Sequence, residues 1–171
     1  ILIFLNYLYF SKHLHILLAF PNTYFANLNP LGKFENLEAV TNEVKLMMDP
    51  NANPYATAPA DAVPSKFGAS DVQDLNWVQL LNAYTCTECG RCTSSCPANQ
   101  TGKKLSPRKI MMDTRDRLEE VGKNIDVNKG VFVPDNKTLL NDYITPEELW
   151  ACTSCNACVE ECPVNISPLS I

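Results

Sequence analysis

Two stretches, C-T-E-C-G-R-C-T-S-S-C-P at 86–97 and C-T-S-C-N-A-C-V-E-E-C-P at 152–163, carry all eight cysteines of this 171-residue chain. Both follow the pattern C-x2-C-x2-C-x3-C-P. This spacing is typical of [4Fe–4S] ligation, because the short spacers bring successive sulfurs to one side of a tight loop. The predicted cluster ligands are Cys86, Cys89, Cys92, Cys96, Cys152, Cys155, Cys158 and Cys162. The pattern therefore predicts a chain that binds two cubane clusters and moves electrons.

The fourth cysteine of each run lies too far along the chain to close the same cluster as the first three. In two-cluster ferredoxins it ligates the other cluster, so we predict crossed ligation. Cluster 1 is assigned to Cys86, Cys89, Cys92 and Cys162, and cluster 2 to Cys152, Cys155, Cys158 and Cys96. The proline after each fourth cysteine fixes φ and turns the chain away from the cluster.

Structural zinc is the alternative for paired cysteines. Zinc sites use four ligands as two pairs, and they need neither a third cysteine at the same step nor a fourth followed by proline. A disulfide scaffold fits less well, because 46% of the residues are hydrophobic and can build an ordinary core. The cysteine usage indicates a reducing compartment.

The composition excludes several function classes. The net charge is −5 and no strongly basic face is evident, so nucleic-acid binding has no support. The chain has no Gly-rich dinucleotide fingerprint, so no flavin or NAD site is predicted. It begins without Met in the middle of an apolar run, and we expect it to be a piece of a longer polypeptide.

The first ten residues, I-L-I-F-L-N-Y-L-Y-F, are almost wholly apolar or aromatic, and Lys12, His13 and His15 follow them. A bilayer-spanning helix needs about 20 residues, so this run alone is too short. Basic residues beyond an apolar run are typical of the cytoplasmic exit of a membrane helix. We therefore predict the end of a membrane helix and an interfacial segment at 1–20. A core helix is the alternative, and a signal peptide fits less well because no charged region precedes the run.

His13 and His15 are candidate axial ligands of haem b. Two positions apart in a helix, they point to nearly opposite sides and cannot both ligate one iron. One of them would need a partner outside this segment. The preferred interpretation is an interfacial pair without metal, because nothing in the spacing selects haem.

Residues 21–69 are rich in Pro, Asn and Ala and are predicted to form an extended linker. One short helix is predicted inside it, from Asn36 to Met48. The apolar stripe of this helix, predicted to serve packing, consists of Leu37, Val40, Val44 and Met47.

The cluster domain is predicted at 70–171. A helix with Asp74 as its N-cap leads into the first cysteine run. A second helix starts at Pro107 and is predicted to end at Val121, with Gly122 just beyond its end.

A polar loop is predicted at 123–138. Thr145-Pro146-Glu147-Glu148 then forms a capping box with proline at the first helical position. Ser106-Pro107 and Ser167-Pro168 follow the two cysteine runs, as expected of an internal repeat. The predicted fold class is mainly α: a helical two-cluster [4Fe–4S] ferredoxin domain with an N-terminal membrane-proximal segment and an extended linker.

These residues resemble a known family. Y-T-C-T-E-C-G-R-C-T-S-S-C-P-A at 84–98 and L-W-A-C-T-S-C-N-A-C-V-E-E-C-P-V-N-I-S-P at 149–168 resemble the helical ferredoxin domain of heterodisulfide-reductase-related Fe–S oxidoreductases. The module is similar to that in the iron–sulfur subunits of succinate dehydrogenase, fumarate reductase and glycolate oxidase. Y-F-S-K-H-L-H-I-L-L-A-F-P-N at 9–22 resembles the exit of a nitrate-reductase-gamma-like membrane domain.

The resemblance implies single-electron transfer between a membrane quinone or haem partner and a downstream redox domain or subunit, at the cytoplasmic face of the inner membrane. Family members often carry cysteine-rich CCG domains, and this chain has no CCG sequence. The alternatives are a structural zinc-binding assembly module, or part of a heterodisulfide or quinone reductase whose active site lies on other residues. No catalytic residue is assigned, and whether the chain is itself an enzyme stays open.

Overall fold

The computed structural model describes residues 1–11, 13–29, 36, 38–49 and 68–171. The chain divides into two compact units, Ile1–Gly32 together with Ser70–Ile171, and Lys33–Ala69. Lys12 of the predicted basic cluster, Leu37 of the predicted stripe and the linker residues 30–35 and 50–67 lie outside the described residues. The division into membrane segment, linker and cluster domain stays a prediction.

Helices dominate the described part of the chain, which contains no β-strand. In chain order they are α1 (Leu2–Tyr9), α2 (Leu14–Tyr24), α3 (Glu38–Met48), α4 (Trp77–Thr85), α5 (Arg91–Ser94), α6 (Pro97–Gln100), α7 (Pro107–Val127), α8 (Pro146–Trp150) and α9 (Ala157–Glu160). Short 3₁₀ turns at Val72–Asp74 and Pro168–Ser170 and an irregular turn at Leu139–Tyr143 complete the secondary structure. The mainly α fold class is confirmed.

The smaller unit contains α3, whose observed start at Glu38 lies close to the predicted start at Asn36. Within its predicted apolar stripe, Val40 and Val44 are half-exposed and Met47 is exposed. The packing expected of this stripe is therefore not seen at these three positions.

The N-terminal segment forms two successive helices. α1 ends at Tyr9 and α2 begins at Leu14. Among the residues that the structure describes, no helix has the length and apolar character needed to cross a bilayer. α2 continues to Tyr24, past the predicted boundary at residue 20. Near its end, the buried Asn22 donates a hydrogen bond from Nδ2 to the carbonyl oxygen of Val164, at 2.8 Å.

α2 packs against α4, the helix that leads into the first cysteine run. Just beyond α2, the ring of Phe25 meets the ring of Trp77 edge-to-face, with centroids 4.7 Å apart. Such aromatic pairs add about 0.5–1.5 kcal/mol beyond the burial of their surface. The N-terminal helices are thus attached to the same compact unit as the cysteine runs.

The N-cap of α4 is Asn76, so the prediction of Asp74 was wrong. Asn76 Oδ1 accepts the N–H of Gln79 at 2.9 Å, and Gln79 Oε1 accepts the N–H of Asn76 at 2.7 Å. Asp74 instead accepts the N–H of Asp71 and closes the 3₁₀ turn. Two residues able to cap lie close together here, and the reciprocal box at Asn76 satisfies two helix-end N–H groups at once.

α7 starts as predicted, with Ser106 Oγ accepting the N–H of Lys109 at 3.3 Å. The predicted end before Gly122 was wrong, because the helix runs on to Val127 and shortens the predicted polar loop. Glycine in a helix interior costs about 1 kcal/mol relative to alanine. Packing of Val121 and Ile125 on the core, on either side of Gly122, offsets that cost.

Arg117 of α7 is fully buried and holds three segments together. Its guanidinium donates to both carboxylate oxygens of Asp71 at 3.0 and 2.8 Å, and to both of Asp135 at 2.5 and 3.0 Å. A further bond reaches the carbonyl oxygen of Lys137 at 2.8 Å. The planar guanidinium suits this double bidentate arrangement, which lysine could not reproduce.

The capping box at the start of α8 is confirmed. Thr145 Oγ1 accepts the N–H of Glu148 at 3.3 Å, and Glu148 Oε2 accepts the N–H of Thr145 at 2.8 Å. The buried Glu148 also pairs with Lys109 Nζ at 3.0 Å, which joins α8 to α7.

Two groups of buried apolar side chains flank the cysteine runs. The larger group comprises Val72, Cys96, Ala98, Leu105, Ile110, Val121, Leu139 and Ile144. The smaller comprises Ala83, Met111 and Ile166, with Cys86 and Cys162 packed against it. Both groups lie against α7, which therefore serves as the central support of the fold.

Candidate iron–sulfur site

The two cysteine loops share one backbone conformation. Glu88 and Gly90 are left-handed, with φ of 59° and 82°, and Ser154 and Asn156 hold the same places in the second run with φ of 53° and 62°. Each loop ends in a one-turn helix, α5 or α9. Left-handed residues between right-handed ones turn successive N–H groups to one side and make a concave surface for anions.

A backbone N–H group points at a cysteine sulfur in the second loop. The N–H of Ser154 donates to Cys152 Sγ, with 3.4 Å between nitrogen and sulfur. In the first loop, the backbone of Glu88 opposes the burial that raises the pKa of Cys86. Hydrogen bonds to the charged form favour the thiolate, which is the form that ligates metal.

A cavity of about 160 Å³ is lined by residues of both runs. Five thiols form part of its wall: Cys86, Cys89, Cys92, Cys158 and Cys162. Apolar side chains cover much of the rest, namely Met111, Pro163, Val164, Ile166 and Pro168. Soft thiolates are the ligands that iron–sulfur clusters take, and an apolar shell controls solvent access and potential. The donor set and the lining fit a [4Fe–4S] cluster.

The thiols differ in burial and in proton affinity. Burial raises the pKa of Cys86 and Cys92, and it raises the pKa of Cys158 to about 11, with the charge of Cys152 adding to the effect. Cys155 is exposed, and hydrogen bonds from the N–H of Ala157 and from Thr153 lower its pKa. Ligation must therefore displace protons from the interior thiols.

Cys162 lies closer to the first run than its sequence position suggests. It packs with Cys86 against the smaller buried group, and its charge is among those that act on Cys86 and Cys92. Cys96 is buried in the larger group, and its charge acts on Cys158 of the second run. The arrangement favours crossed ligation, while the two ligand sets stay a prediction. In the described ranges, no three His, Cys, Asp or Glu side chains are placed to hold a single metal ion.

An ion pair ties the first loop to α7. Arg115 Nη2 lies 2.6 Å from Glu88 Oε1, and both side chains are largely buried. Arg115 also opposes the burial that raises the pKa of Cys86. Sequence reasoning missed this cation because Glu88 and Arg115 lie 27 residues apart, with no shared motif.

The two N-terminal histidines have different places. His15 lies in the wall of the cysteine-lined cavity. His13 is exposed at the N-cap of α2. No sequence pattern indicates the position of His15 beside the cysteines, because that position depends on the packing of α2 against α4.

Comparison with known proteins agrees with this geometry. Residues 85–166 match the 4Fe-4S dicluster domain family. The chain is 32% identical over 193 residues to "Probable iron-sulfur-binding oxidoreductase FadF" of Bacillus subtilis, covering 96% of this chain and 24% of that protein. It is 30% identical over 171 residues to "EtfAB:quinone oxidoreductase" of Syntrophomonas wolfei, covering 89% of this chain and 23% of that protein.

A "Probable membrane-anchored ferredoxin" of Chromohalobacter salexigens is 34% identical over 121 residues, 62% of this chain and 18% of that protein. Heterodisulfide reductase subunits C of methanogens match half of the chain. The resemblance to heterodisulfide-reductase-related Fe–S oxidoreductases is thus confirmed. The chain spans less than a quarter of the length of these first three relatives. No solved structure matches it.

Proposed function

We propose that this chain, whose residues 85–166 match the 4Fe-4S dicluster domain family, is the electron-transfer module of a membrane-associated oxidoreductase. It binds two [4Fe–4S] clusters and relays single electrons between a membrane partner carrying quinone or haem and a redox site on another domain or subunit. The observation that carries the proposal is the apolar cavity whose wall brings together thiols of both cysteine runs.

The chain's own residues have defined roles in this proposal. Cluster 1 is held by Cys86, Cys89, Cys92 and Cys162, and cluster 2 by Cys152, Cys155, Cys158 and Cys96. The clusters supply one-electron storage. The N–H of Ser154, which donates to Cys152 Sγ, and the backbone of Glu88, which lowers the proton affinity of Cys86, stabilise negative charge on sulfur. Met111 excludes water from the cavity wall.

The electron balance is simple. Each passage removes one electron from the reduced donor and delivers one to the oxidised acceptor, and the chain returns to its starting state. Reduction of a quinone to a quinol takes two such passages and two protons, which come from the medium at the quinone site and not from this chain.

Exposed apolar surface on the N-terminal helices supports association with a membrane partner at the cytoplasmic face of the inner membrane. The side chain of Phe10, just after α1, is 83% exposed, and that of Phe20 of α2 is 74% exposed. Contiguous exposed apolar patches mark protein or membrane interaction sites. Relatives named as a quinone oxidoreductase and a membrane-anchored ferredoxin support the same partner class.

Iron and acid-labile sulfide content of anaerobically prepared protein tests the proposal. We expect about eight iron and eight sulfide per chain, and an EPR spectrum of two interacting reduced cubanes after dithionite. A double variant, Cys152→Ser with Cys155→Ser, should fall to about four iron, because two ligands of one cluster are gone. Glu160→Gln, an exposed neighbour on α9, is the matched control and should keep the wild-type content.

Structural zinc is the competing function. About two zinc per chain without iron would overturn the relay and leave a structural assembly module. Full iron content together with reductase turnover by the isolated chain would instead place substrate chemistry on it.

A further inference from the structure

Helix α2 contacts both stretches of chain that carry the proposed ligands of cluster 1. It packs along α4, whose last residue immediately precedes Cys86. Its Asn22 is hydrogen-bonded to the carbonyl oxygen of Val164, just beyond Cys162. α2 is therefore fixed at two points around one cluster position.

His15, in the first turn of α2, borders the cavity. The imidazole lies in the same wall as Cys86, Cys89 and Cys92. Two residues earlier, His13 is exposed on a different side of the helix. The two histidines carry the same side chain and lie two residues apart at the start of α2. They differ in that His15 borders the cavity and His13 does not.

The cavity is associated with one cluster more than with the other. All four proposed ligands of cluster 1 lie in its wall. Of the proposed cluster 2 ligands, Cys158 alone borders the cavity, whereas Cys152 and Cys155 are exposed to solvent. A substitution of His15 should therefore change the reduction potential of cluster 1 more than that of cluster 2.

We propose that α2 is an integral wall of the cluster 1 site, and that His15 is a positioning residue that sets the reduction potential of cluster 1 while leaving cluster 2 unchanged. The inference rests on the proposed function, since it needs two clusters. Cluster potentials depend on hydrogen bonds, local charge and solvent access. The wall already contains the charged residues Arg91, Arg108 and Glu161 beside its apolar side chains. A polar ring at position 15 stabilises the extra negative charge of the reduced state better than an apolar ring of similar size.

EPR-monitored redox titration of the full chain at one fixed pH tests this. His15→Phe keeps a ring in the wall but removes its polar atoms. At the wild-type midpoint of cluster 1, the ratio of reduced to oxidised cluster 1 should fall about tenfold, which is about 59 mV for a one-electron couple. His15→Gln restores a polar side chain and should bring the ratio back to within about threefold of wild type.

His13→Phe is the matched control, on the same helix but outside the cavity, and should change neither cluster. A Cys89→Ser background assigns the two signals, because it alters cluster 1 alone. Iron content and far-UV circular dichroism equal to wild type establish that each variant is folded and loaded.

The inference is overturned if loaded His15→Phe leaves cluster 1 within twofold of wild type, if both clusters shift equally, or if His13→Phe shifts cluster 1 as much. Failure of His15→Phe to load clusters, with His15→Gln loading fully at an unchanged midpoint, also supports a role of His15 in this site. Wild-type protein with zinc and no iron would overturn the proposed function itself. Failure of the proposed function can therefore be told apart from failure of the inference about His15.

Discussion

Replacing Arg117 by methionine should destabilise the fold strongly, because it leaves two carboxylates without their cationic partner. In the wild type the guanidinium is 0% exposed and donates five hydrogen bonds, to Asp71, Asp135 and the carbonyl oxygen of Lys137. Methionine fills much of the same volume without charge. The loss therefore comes from the unpaired acids and the orphaned carbonyl, not from an empty cavity.

The expected magnitude follows from burial. Removing one partner of a buried ion pair costs about 3–5 kcal/mol. The Asp71 and Asp135 side chains are 15% and 26% exposed, so water recovers part of their solvation. We therefore take the lower end, about 3 kcal/mol, which corresponds to about a 100-fold change in an opening equilibrium.

Native-state amide hydrogen exchange of the cluster-loaded protein measures this opening without global unfolding. Amides of α7 around Arg117 should exchange about 100-fold faster in Arg117→Met at pH 7. Adding Asp71→Asn and Asp135→Asn should recover much of the protection, because the amides remain satisfiable without a cation.

Lys137→Met is the matched control in the same cluster of charges. Lys137 Nζ forms an ion pair with Glu120 at 3.2 Å, with both side chains about half-exposed. Such pairs contribute about 0–1 kcal/mol, so exchange should rise by less than about fivefold. An acceleration below fivefold in Arg117→Met, or an equal acceleration in Lys137→Met, would refute the reasoning.

Three further outcomes are expected. Cys96→Ser should alter the EPR signal of the cluster held by the second run; damage confined to the first run's cluster would contradict crossed ligation. In cluster-free protein at pH 8, alkylation followed by mass spectrometry should label Cys155 well before Cys158, since a thiol with a pKa of about 11 is only ~0.1% ionised; equal rates of these two would contradict the assigned burial. Gly90→Ala should lower stability by about 1 kcal/mol because of its φ of 82°, whereas Gly122→Ala, with open space at its Cβ, should raise it by up to about 1 kcal/mol in thermal unfolding.

The sequence was most informative where chemistry depends on local spacing. The cysteine runs and the caps at Ser106 and Thr145 need only neighbours within a few residues, and each was predicted. The predicted N-cap of α4 was wrong because two residues able to cap, Asp74 and Asn76, lie close together at this helix end. The predicted end of α7 was wrong because the packing of Ile125 on the core outweighs the low helix propensity of Gly122.

The remaining features depend on contacts between distant residues. Arg115 reaches Glu88 only after α7 has packed beside the first cysteine loop. His15 reaches the cavity only because α2 docks on α4. Neither contact leaves a periodic or spaced pattern in the chain, so pattern analysis could not find them.

The bond from Asn22 to Val164 also bears on the order of events during synthesis. Its two residues are separated by 142 positions, so one partner leaves the ribosome long before the other exists. Contacts of such high sequence separation form late, since a long loop must close first. We expect the contact between α2 and the second cysteine run to form only after residue 164 has been synthesised. Until then α2 does not cover the cysteine loops on that side. The proteins that deliver iron and sulfide can therefore reach the cysteines before α2 packs against them.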